Sequence, residues 1–179
     1  MADHNNLGLI HIYCGDGKGK TTCGMGLCVR AAGFGYRVLI YQFMKNNSTS
    51  ERSSMSKIEN ITFLPGLDHE KFSFRMTEEE KEQRRSFYAN QLRTAAELAK
   101  KEAYDVLFLD EAIYAIRSGL LEESLLLDFL KNKPEHLEVI LTGQGPSPAL
   151  LELADYVSEI HKVKHPFDAG ISARKGIER

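Results

Sequence analysis

The sequence lacks the features that mark membrane, secreted and nucleic-acid-binding proteins. No apolar run approaches the length that spans a membrane, and the first six residues, MADHNN, have neither the basic nor the apolar region of a signal peptide. The formal net charge of −2 provides no general attraction to nucleic acid or to a membrane surface. The three cysteines form no C-x-x-C pair and no metal-ligand spacing. We therefore expect a cytoplasmic protein with reduced thiols and without nucleic-acid or membrane partners.

Strand-like and helix-like segments alternate along the 179 residues, which suffice for one domain, residues 1–179, but not for two ordinary ones. The predicted strands are residues 7–13, 37–43, 61–64, 106–109, 137–141 and 156–160. The predicted helices are residues 22–32, 77–102, 122–131 and 148–154, and residues 44–60 form either a mobile loop or a short helix at 51–57. This alternation predicts an α/β fold with a mostly parallel sheet and helices on both faces, which binds ligands at the carboxyl ends of its strands.

A glycine-rich run joins the first predicted strand to the first predicted helix. Its residues are Gly15, Asp16, Gly17, Lys18, Gly19, Lys20, Thr21 and Thr22. Glycines let the backbone bend around an anion, the helix N-terminus offers unpaired N–H groups, and Lys20 adds a positive charge. Thr21 is placed to give its hydroxyl to Mg²⁺. The run predicts a nucleotide-binding loop in a P-loop NTPase-like (RecA-like) domain, with a glycine-rich surface turn as the alternative; Cys14 replaces the first glycine of the usual pattern.

Two carboxylates, Asp110 and Glu111, directly follow the apolar strand 106–109. A carboxylate at a buried strand end is costly unless a cation or hydrogen-bond donors accompany it. Nucleotide sites use such carboxylates to hold Mg²⁺ on the side opposite the P-loop hydroxyl. We therefore assign Thr21, Asp110 and Glu111 to a metal site, without deciding which carboxylate contacts the ion. The alternative is a helix-capping pair, with Asp110 capping a helix through Tyr114.

Short motifs follow the P-loop in a fixed order. They are Gln42-Phe43-Met44-Lys45, Leu109-Asp110-Glu111, Leu141-Thr142-Gly143, the segment VKHPFDAG at 163–170, and Gly176-Ile177-Glu178. Together with the P-loop they resemble the P-loop class of ATP:corrinoid adenosyltransferases over nearly the whole chain. The P-loop alone is unspecific, but its combination with the K-H-x-F-D-x-G segment is specific. The resemblance is weakest between residues 46 and 75.

The resemblance implies an enzyme that transfers the 5′-deoxyadenosyl group of ATP to Co(I) of a corrinoid and releases triphosphate. It implies ATP as co-substrate, Mg²⁺ (or Mn²⁺) as cofactor, and catalytic roles for Lys20 and Glu111. It also implies nucleotide contacts by Arg30 and Gln42, although Arg30 could equally be a surface arginine. A homodimer and an electron-donating flavoprotein partner are expected on the same ground.

Phe72 and Phe74 occupy the place of the family's Phe-x-Trp pair, in a segment, residues 46–75, that we interpret as a substrate-side loop. The resemblance implies that these aromatic rings are catalytic because they displace the lower axial ligand of the corrinoid. The alternative is ordinary packing under the long helix. The tail, residues 161–179, is expected to pack near the site.

Two departures from the family pattern accompany the resemblance: Gln144 stands where many relatives have arginine, and Asn46 replaces a glycine. Two rival functions remain open. A P-loop kinase would move the γ-phosphate to a small acceptor, but it needs a residue that positions the acceptor and usually a lid arginine, and neither is evident. The second rival function is that of a non-enzymatic ATP-switch protein, which the additional loop lysine, Lys18, suggests.

Overall fold

The computed structural model describes residues 6–69 and 71–178, which form a six-stranded sheet with the strand order β3-β2-β4-β5-β1-β6. The strands are β1 (Ile10–Cys14), β2 (Val38–Gln42), β3 (Ile61–Phe63), β4 (Val106–Asp110), β5 (Glu138–Thr142) and β6 (Tyr156–Glu159). Each pair of neighbouring strands is parallel. The predicted parallel α/β fold is therefore confirmed. Residues 1–5, on which the expectation about a signal peptide depends, and residue 179 of the predicted tail lie outside the described residues.

Helices cover both faces of this sheet. They are α1 (Lys20–Phe34), α2 (Ser50–Met55), α3 (Glu78–Lys101), α4 (Ala112–Arg117), α5 (Glu123–Asn132) and α6 (Pro148–Leu153). The core has two parts, one beneath α1 around Phe108 and one around Tyr88 of α3. The central strands β2 and β4 are buried on both faces, which explains their continuous apolar sequences. Among the described residues, no helix is long and apolar enough to cross a membrane.

Helix α1 approaches the sheet closely because it has glycine at position 24. A Cβ atom there would lie 2.4 Å from Cζ of Phe108 on β4. Any side chain at this position would therefore push the helix away from the strand. Since α1 begins at the P-loop, this packing fixes the loop relative to the carboxyl end of β4.

Helix α3 begins with a capping box. The Thr77 side chain accepts a hydrogen bond from the Glu80 N–H, and the Glu80 carboxylate accepts one from the Thr77 N–H. One stripe of α3 faces the core and is buried at Tyr88, Leu92, Ala95 and Ala99, but the adjacent Ala96 is only half-buried. Ala96 therefore lies at the border of the stripe.

Several short elements differ from the sequence-based prediction. Helix α4 follows β4 almost directly, where the sequence analysis assigned no helix of its own. Two 3₁₀ turns, Ser73–Arg75 and Pro166–Ala169, were likewise not predicted. These elements have three to six residues and lack the apolar periodicity of a longer helix. Tertiary contacts, rather than local sequence, decide their conformation.

Candidate active site

The P-loop lies between β1 and α1 and has the backbone that an anion site requires. Gly15 and Gly19 have φ angles of 102° and 121°, in the left-handed region that disfavours other residues. No side chain caps the N-terminus of α1, and its first turn contains no acidic residue. The unpaired N–H groups and the positive end of the helix dipole are thus left for a ligand. The Lys20 ammonium folds back over the loop and donates to the Gly17 carbonyl at 2.7 Å.

The same loop is bound to the chain segment that follows β6. The Gly17 N–H donates to the carbonyl of Ile160 at 2.8 Å, and the Asp16 carboxylate accepts from the backbone N–H of Lys162 at 2.8 Å. This hydrogen bond holds the pKa of Asp16 below its ordinary value. Asp16 was predicted to bind nucleotide, and in the structure its carboxylate secures the tail to the loop.

Asp110 is the most deeply buried charged group of the site, with an exposed fraction of 0%. Four side chains donate hydrogen bonds to its carboxylate: Thr142 Oγ1 at 2.6 Å, Lys45 Nζ at 2.7 Å, Thr21 Oγ1 at 3.0 Å and Gln42 Nε2 at 3.2 Å. Such a set compensates for the cost of burying the charge. The alternative that Asp110 caps a helix is excluded, because the N-cap of α4 is Glu111, without a side-chain capping bond.

Glu111 has a left-handed backbone, with a φ angle of 60°. Its N–H donates to Thr142 Oγ1 at 2.8 Å, and the residue lines the cavity above the P-loop. Strained backbone at a strand end is typical of functional sites. The structure thus separates the two carboxylates: Asp110 lies beneath the site and contacts the Thr21 hydroxyl, whereas Glu111 lines the open space.

The cavity has a volume of about 310 Å³. It is lined on one side by residues 16–22 and Glu111, and on the other by residues 165–167, 171–173, 177 and 178 of the tail. The tail therefore lies against the P-loop. At the cavity rim, the Arg174 guanidinium hydrogen-bonds Glu178 and lowers the pKa of that carboxyl to about 2.

Three residues predicted to bind nucleotide do not line this cavity. Gly15 is buried beneath it, where a Cβ atom would lie 2.3 Å from the Ile160 carbonyl oxygen. Arg30 is exposed on α1, as its alternative interpretation stated. Gln42 is 2% exposed; its side chain donates to Asp110 and Glu51 and accepts from Thr49. Its place in the site is therefore behind Asp110.

Lys45 belongs to the site, although the sequence analysis noted it only as part of a motif. Its Nζ atom lies 2.7 Å from Asp110 Oδ2 and 3.2 Å from Thr21 Oγ1. The contact could not be seen in the sequence, because it depends on β2 and β4 being neighbours in the sheet.

Phe72 and Phe74 are exposed, with exposed fractions of 59% and 77%. Their rings are stacked on each other with centroids 5.4 Å apart. The alternative of ordinary packing under α3 is therefore wrong. The pair does not line the P-loop cavity. Between its segment and α3 lies a second cavity, also of about 310 Å³, lined by Leu67, Lys71, Met76, Glu80, Gln83, Arg84 and Phe87.

A magnesium ion fits the oxygen atoms around Asp110. In the described part of the chain, no group of three or more His, Cys, Asp and Glu side chains forms a ready-made metal site. The Thr21 hydroxyl and the Asp110 carboxylate, which are in contact, are nonetheless oxygen ligands of the kind that a nucleotide-bound, hard cation prefers. Thr21 and Glu111 would complete such a site from the cavity side, together with phosphate oxygens.

The family model described as "ATP:corrinoid adenosyltransferase BtuR/CobO/CobP" matches residues 6–179. The chain belongs to this family. A corrinoid adenosyltransferase of Escherichia coli K12 is 32% identical over 171 residues, covering 96% of this chain and 85% of the relative. One from Pseudomonas aeruginosa is 32% identical over 173 residues, covering 96% and 83%. "Corrinoid adenosyltransferase CobA" of Salmonella typhimurium is 31% identical over 171 residues, covering 96% and 85%.

A solved structure supports the fold independently. The KaiC-like protein PH0186 of Pyrococcus horikoshii OT3 superposes with a TM-score of 0.55 at 17% identity, covering 87% of this chain and 74% of the other. At this identity the likeness concerns the fold alone, and it confirms the predicted P-loop NTPase-like architecture. The adenosyltransferase family makes the chain an enzyme that adenosylates corrinoids.

Proposed function

We propose that this corrinoid adenosyltransferase uses ATP as the adenosyl donor and Co(I) of the corrinoid as the nucleophile. The cobalt electron pair forms the bond to the 5′ carbon, the bond from that carbon to oxygen breaks, and triphosphate leaves with the electron pair. Cobalt is thereby oxidised from Co(I) to Co(III). A displacement at carbon needs stabilisation of its leaving group, and this site supplies it from the P-loop.

The observation that carries the proposal is the cavity in which P-loop amides, Lys20, Thr21 and Glu111 converge over the buried carboxylate of Asp110. The amides and the Lys20 ammonium oppose the negative charge that accumulates on the departing triphosphate. Lys18 is exposed at the same cavity and adds a second positive charge. Mg²⁺ (or Mn²⁺) bound with the nucleotide would neutralise further phosphate charge.

The exposed aromatic pair serves the other substrate in this proposal. Phe72 and Phe74 would press their rings against the lower face of the corrinoid and take the place of its axial ligand there. Covering apolar surface that the free protein exposes to water is favourable in free energy, and a large planar ligand covers the most of it. A homodimer and an electron-donating flavoprotein that supplies the Co(I) state are part of the same proposal, carried over from the family.

The products distinguish this reaction from its rivals. Incubation of the protein with ATP, Mg²⁺ and a chemically reduced Co(I) corrinoid should yield one light-sensitive adenosylcorrinoid per triphosphate released. Formation of ADP with a phosphorylated acceptor would indicate a kinase instead. A change of oligomeric state with ATP and no dependence on corrinoid would indicate an ATP-switch protein.

A further inference from the structure

Lys45 is placed where it can be replaced by a metal ion. Its Nζ atom lies 2.7 Å from the Asp110 carboxylate, 3.2 Å from the Thr21 hydroxyl and 3.5 Å from the Glu51 carboxylate. Thr21 and Asp110 also stand at the two positions whose side chains hold the nucleotide-bound cation in P-loop proteins. The ammonium therefore occupies the immediate neighbourhood of that cation.

The backbone before Lys45 is held in an unusual conformation. Met44 has a φ angle of 57°, in the left-handed region, although it is not a glycine. The buried Tyr88 hydroxyl fixes this turn, because it accepts a hydrogen bond from the Met44 N–H at 2.9 Å. This turn brings the chain away from the end of β2 and leaves the Lys45 side chain on Asp110.

The electrostatic surroundings keep Lys45 charged. Burial on its own lowers the pKa of Lys45, but the Asp110, Glu51 and Glu111 carboxylates outweigh that effect and raise the pKa above its ordinary value. Its side chain retains only 23% exposure. The Lys45 ammonium thus lies 2.7 Å from a carboxylate that is fully buried.

We propose that the Lys45 ammonium substitutes for the divalent cation in the nucleotide-free protein: it neutralises Asp110 and leaves that carboxylate when a metal ion arrives. This inference rests on the proposed function only for the identity of the ligand that brings the metal. Two cations cannot share the space between Thr21 and Asp110 without strong repulsion, because Mg²⁺ binds its oxygen ligands at about 2.1 Å. Lys45 is accordingly a positioning residue: it holds the Asp110 carboxylate and the Thr21 hydroxyl in place until a metal ion binds to them.

The test is the thermal stability of Lys45→Gln with and without Mg²⁺, in the absence of nucleotide and corrinoid. In EDTA the variant should melt about 5 °C below the wild-type protein, because a buried carboxylate loses its counter-charge. Millimolar Mg²⁺ should recover at least half of that loss and leave the wild-type protein within about 1 °C. KCl at matched ionic strength should recover none of it. Lys131→Gln, which removes an exposed lysine at the end of α5, is the matched control and should show neither effect.

A second readout measures the metal directly. Free Mn²⁺ counted by electron paramagnetic resonance should show that Lys45→Gln binds Mn²⁺ about tenfold more tightly than the wild-type protein, since a competing charge has been removed. Lys45→Arg keeps the charge and should keep the wild-type stability in EDTA. If Lys45→Gln is unfolded in EDTA, it should fold on addition of Mg²⁺.

Three results would overturn the proposal: no loss of stability in EDTA, a loss that Mg²⁺ does not recover, or Mn²⁺ affinity that is unchanged or weaker in Lys45→Gln. None of these measurements includes ATP or corrinoid. Failure of the adenosyl-transfer test would therefore leave them interpretable, and a negative result here would leave the proposed reaction standing.

Discussion

Asp110 at the P-loop and Phe74 in the segment before α3 differ sharply in exposure. The Asp110 carboxylate is 0% exposed with four hydrogen-bond donors around it, whereas the Phe74 side chain is 77% exposed. The Asp110 region is held by three neighbouring strands, β2, β4 and β5. The Phe72–Phe74 pair is carried by a three-residue 3₁₀ turn and the residue before it; the two rings stack on each other, and the Arg75 guanidinium lies over the Phe74 ring.

This difference shows which part of the proposed site is already ordered before a ligand binds. We call the surroundings of Asp110 and the P-loop the phosphate side, and the Phe72–Phe74 pair the aromatic side. On the phosphate side, the groups that meet the ligand are already oriented by hydrogen bonds, so binding requires little reorganisation. On the aromatic side, the stacked rings are exposed to water, and under the proposed function the corrinoid would cover them. Changes in the buried Asp110 network should therefore affect stability, and changes in the P-loop should affect the reaction from every cobalt state, whereas changes on the aromatic side should affect one step.

The largest effect is expected for Asp110→Asn. The substitution keeps the shape but removes the charge that pairs with Lys45, which should lower the free energy of unfolding by about 3 kcal/mol. Denaturant unfolding measures this loss. Asp128→Asn, at an exposed position on α5, is the control. Unchanged stability would show that the Asp110 network does not hold the phosphate side together.

Lys20→Ala should reduce kcat/KM for adenosyl transfer about 100-fold, because it removes one charge from the leaving-group site. Its folding stability should stay near that of the wild-type protein, since the hydrogen bond that the Lys20 ammonium donates goes to a backbone carbonyl of the loop, that of Gly17, and not to a buried charge. Steady-state kinetics with varied ATP, together with a melting curve, separate the two effects. A normal rate would remove the P-loop lysine from the mechanism.

Replacing both Phe72 and Phe74 with alanine should slow the reaction that starts from Co(II) and a reductant about tenfold, the size of two lost aromatic contacts. The reaction that starts from preformed Co(I) should be spared, because the axial ligand has then already gone. Phe34→Ala removes another exposed ring, 63% exposed at the end of α1, and should change neither rate. Equal losses in both assays would contradict the role given to the pair.

The smallest effect concerns a carboxylate away from both halves of the site. Burial raises the pKa of Glu138, but hydrogen bonds from His11 and from the Leu9 and Gly8 N–H groups outweigh it and lower the pKa below its ordinary value. Glu138 thus stabilises the fold above its unfolded-state pKa, and that contribution is lost as the pH falls through its folded-state pKa. In Glu138→Gln the acid side of a stability–pH profile should be flatter. An identical profile in the variant would refute this assignment.

Contiguous sequence was sufficient to locate the glycine-rich loop between β1 and α1 and the carboxylate at the end of β4, for a physical reason. Residues 15–22 need only their local geometry to form an anion cradle, and Asp110 follows its strand directly. The neighbours of Asp110 are different, since Lys45 and Thr142 reach it only because β2 and β5 flank β4. Strand order is a property of the whole chain, so it could not be predicted from any single motif.

The roles of single polar residues were harder to predict. Gln42 was expected at the nucleotide and instead supports Asp110, because a side chain at the last position of a central strand is buried. The exposure of Phe72 and Phe74 was left open, because aromatic residues in a polar segment fit both a core and a binding surface. Their short 3₁₀ turn has no periodicity from which its orientation could be read.

The destination of the 5′ carbon of ATP tests the proposed reaction most directly. With ATP labelled by ¹³C at that carbon, Mg²⁺ and a Co(I) corrinoid, nuclear magnetic resonance should find the label bonded to cobalt and the three phosphates still joined as triphosphate. Label that remains in ADP, with the γ-phosphate transferred elsewhere, would contradict adenosyl transfer by this protein.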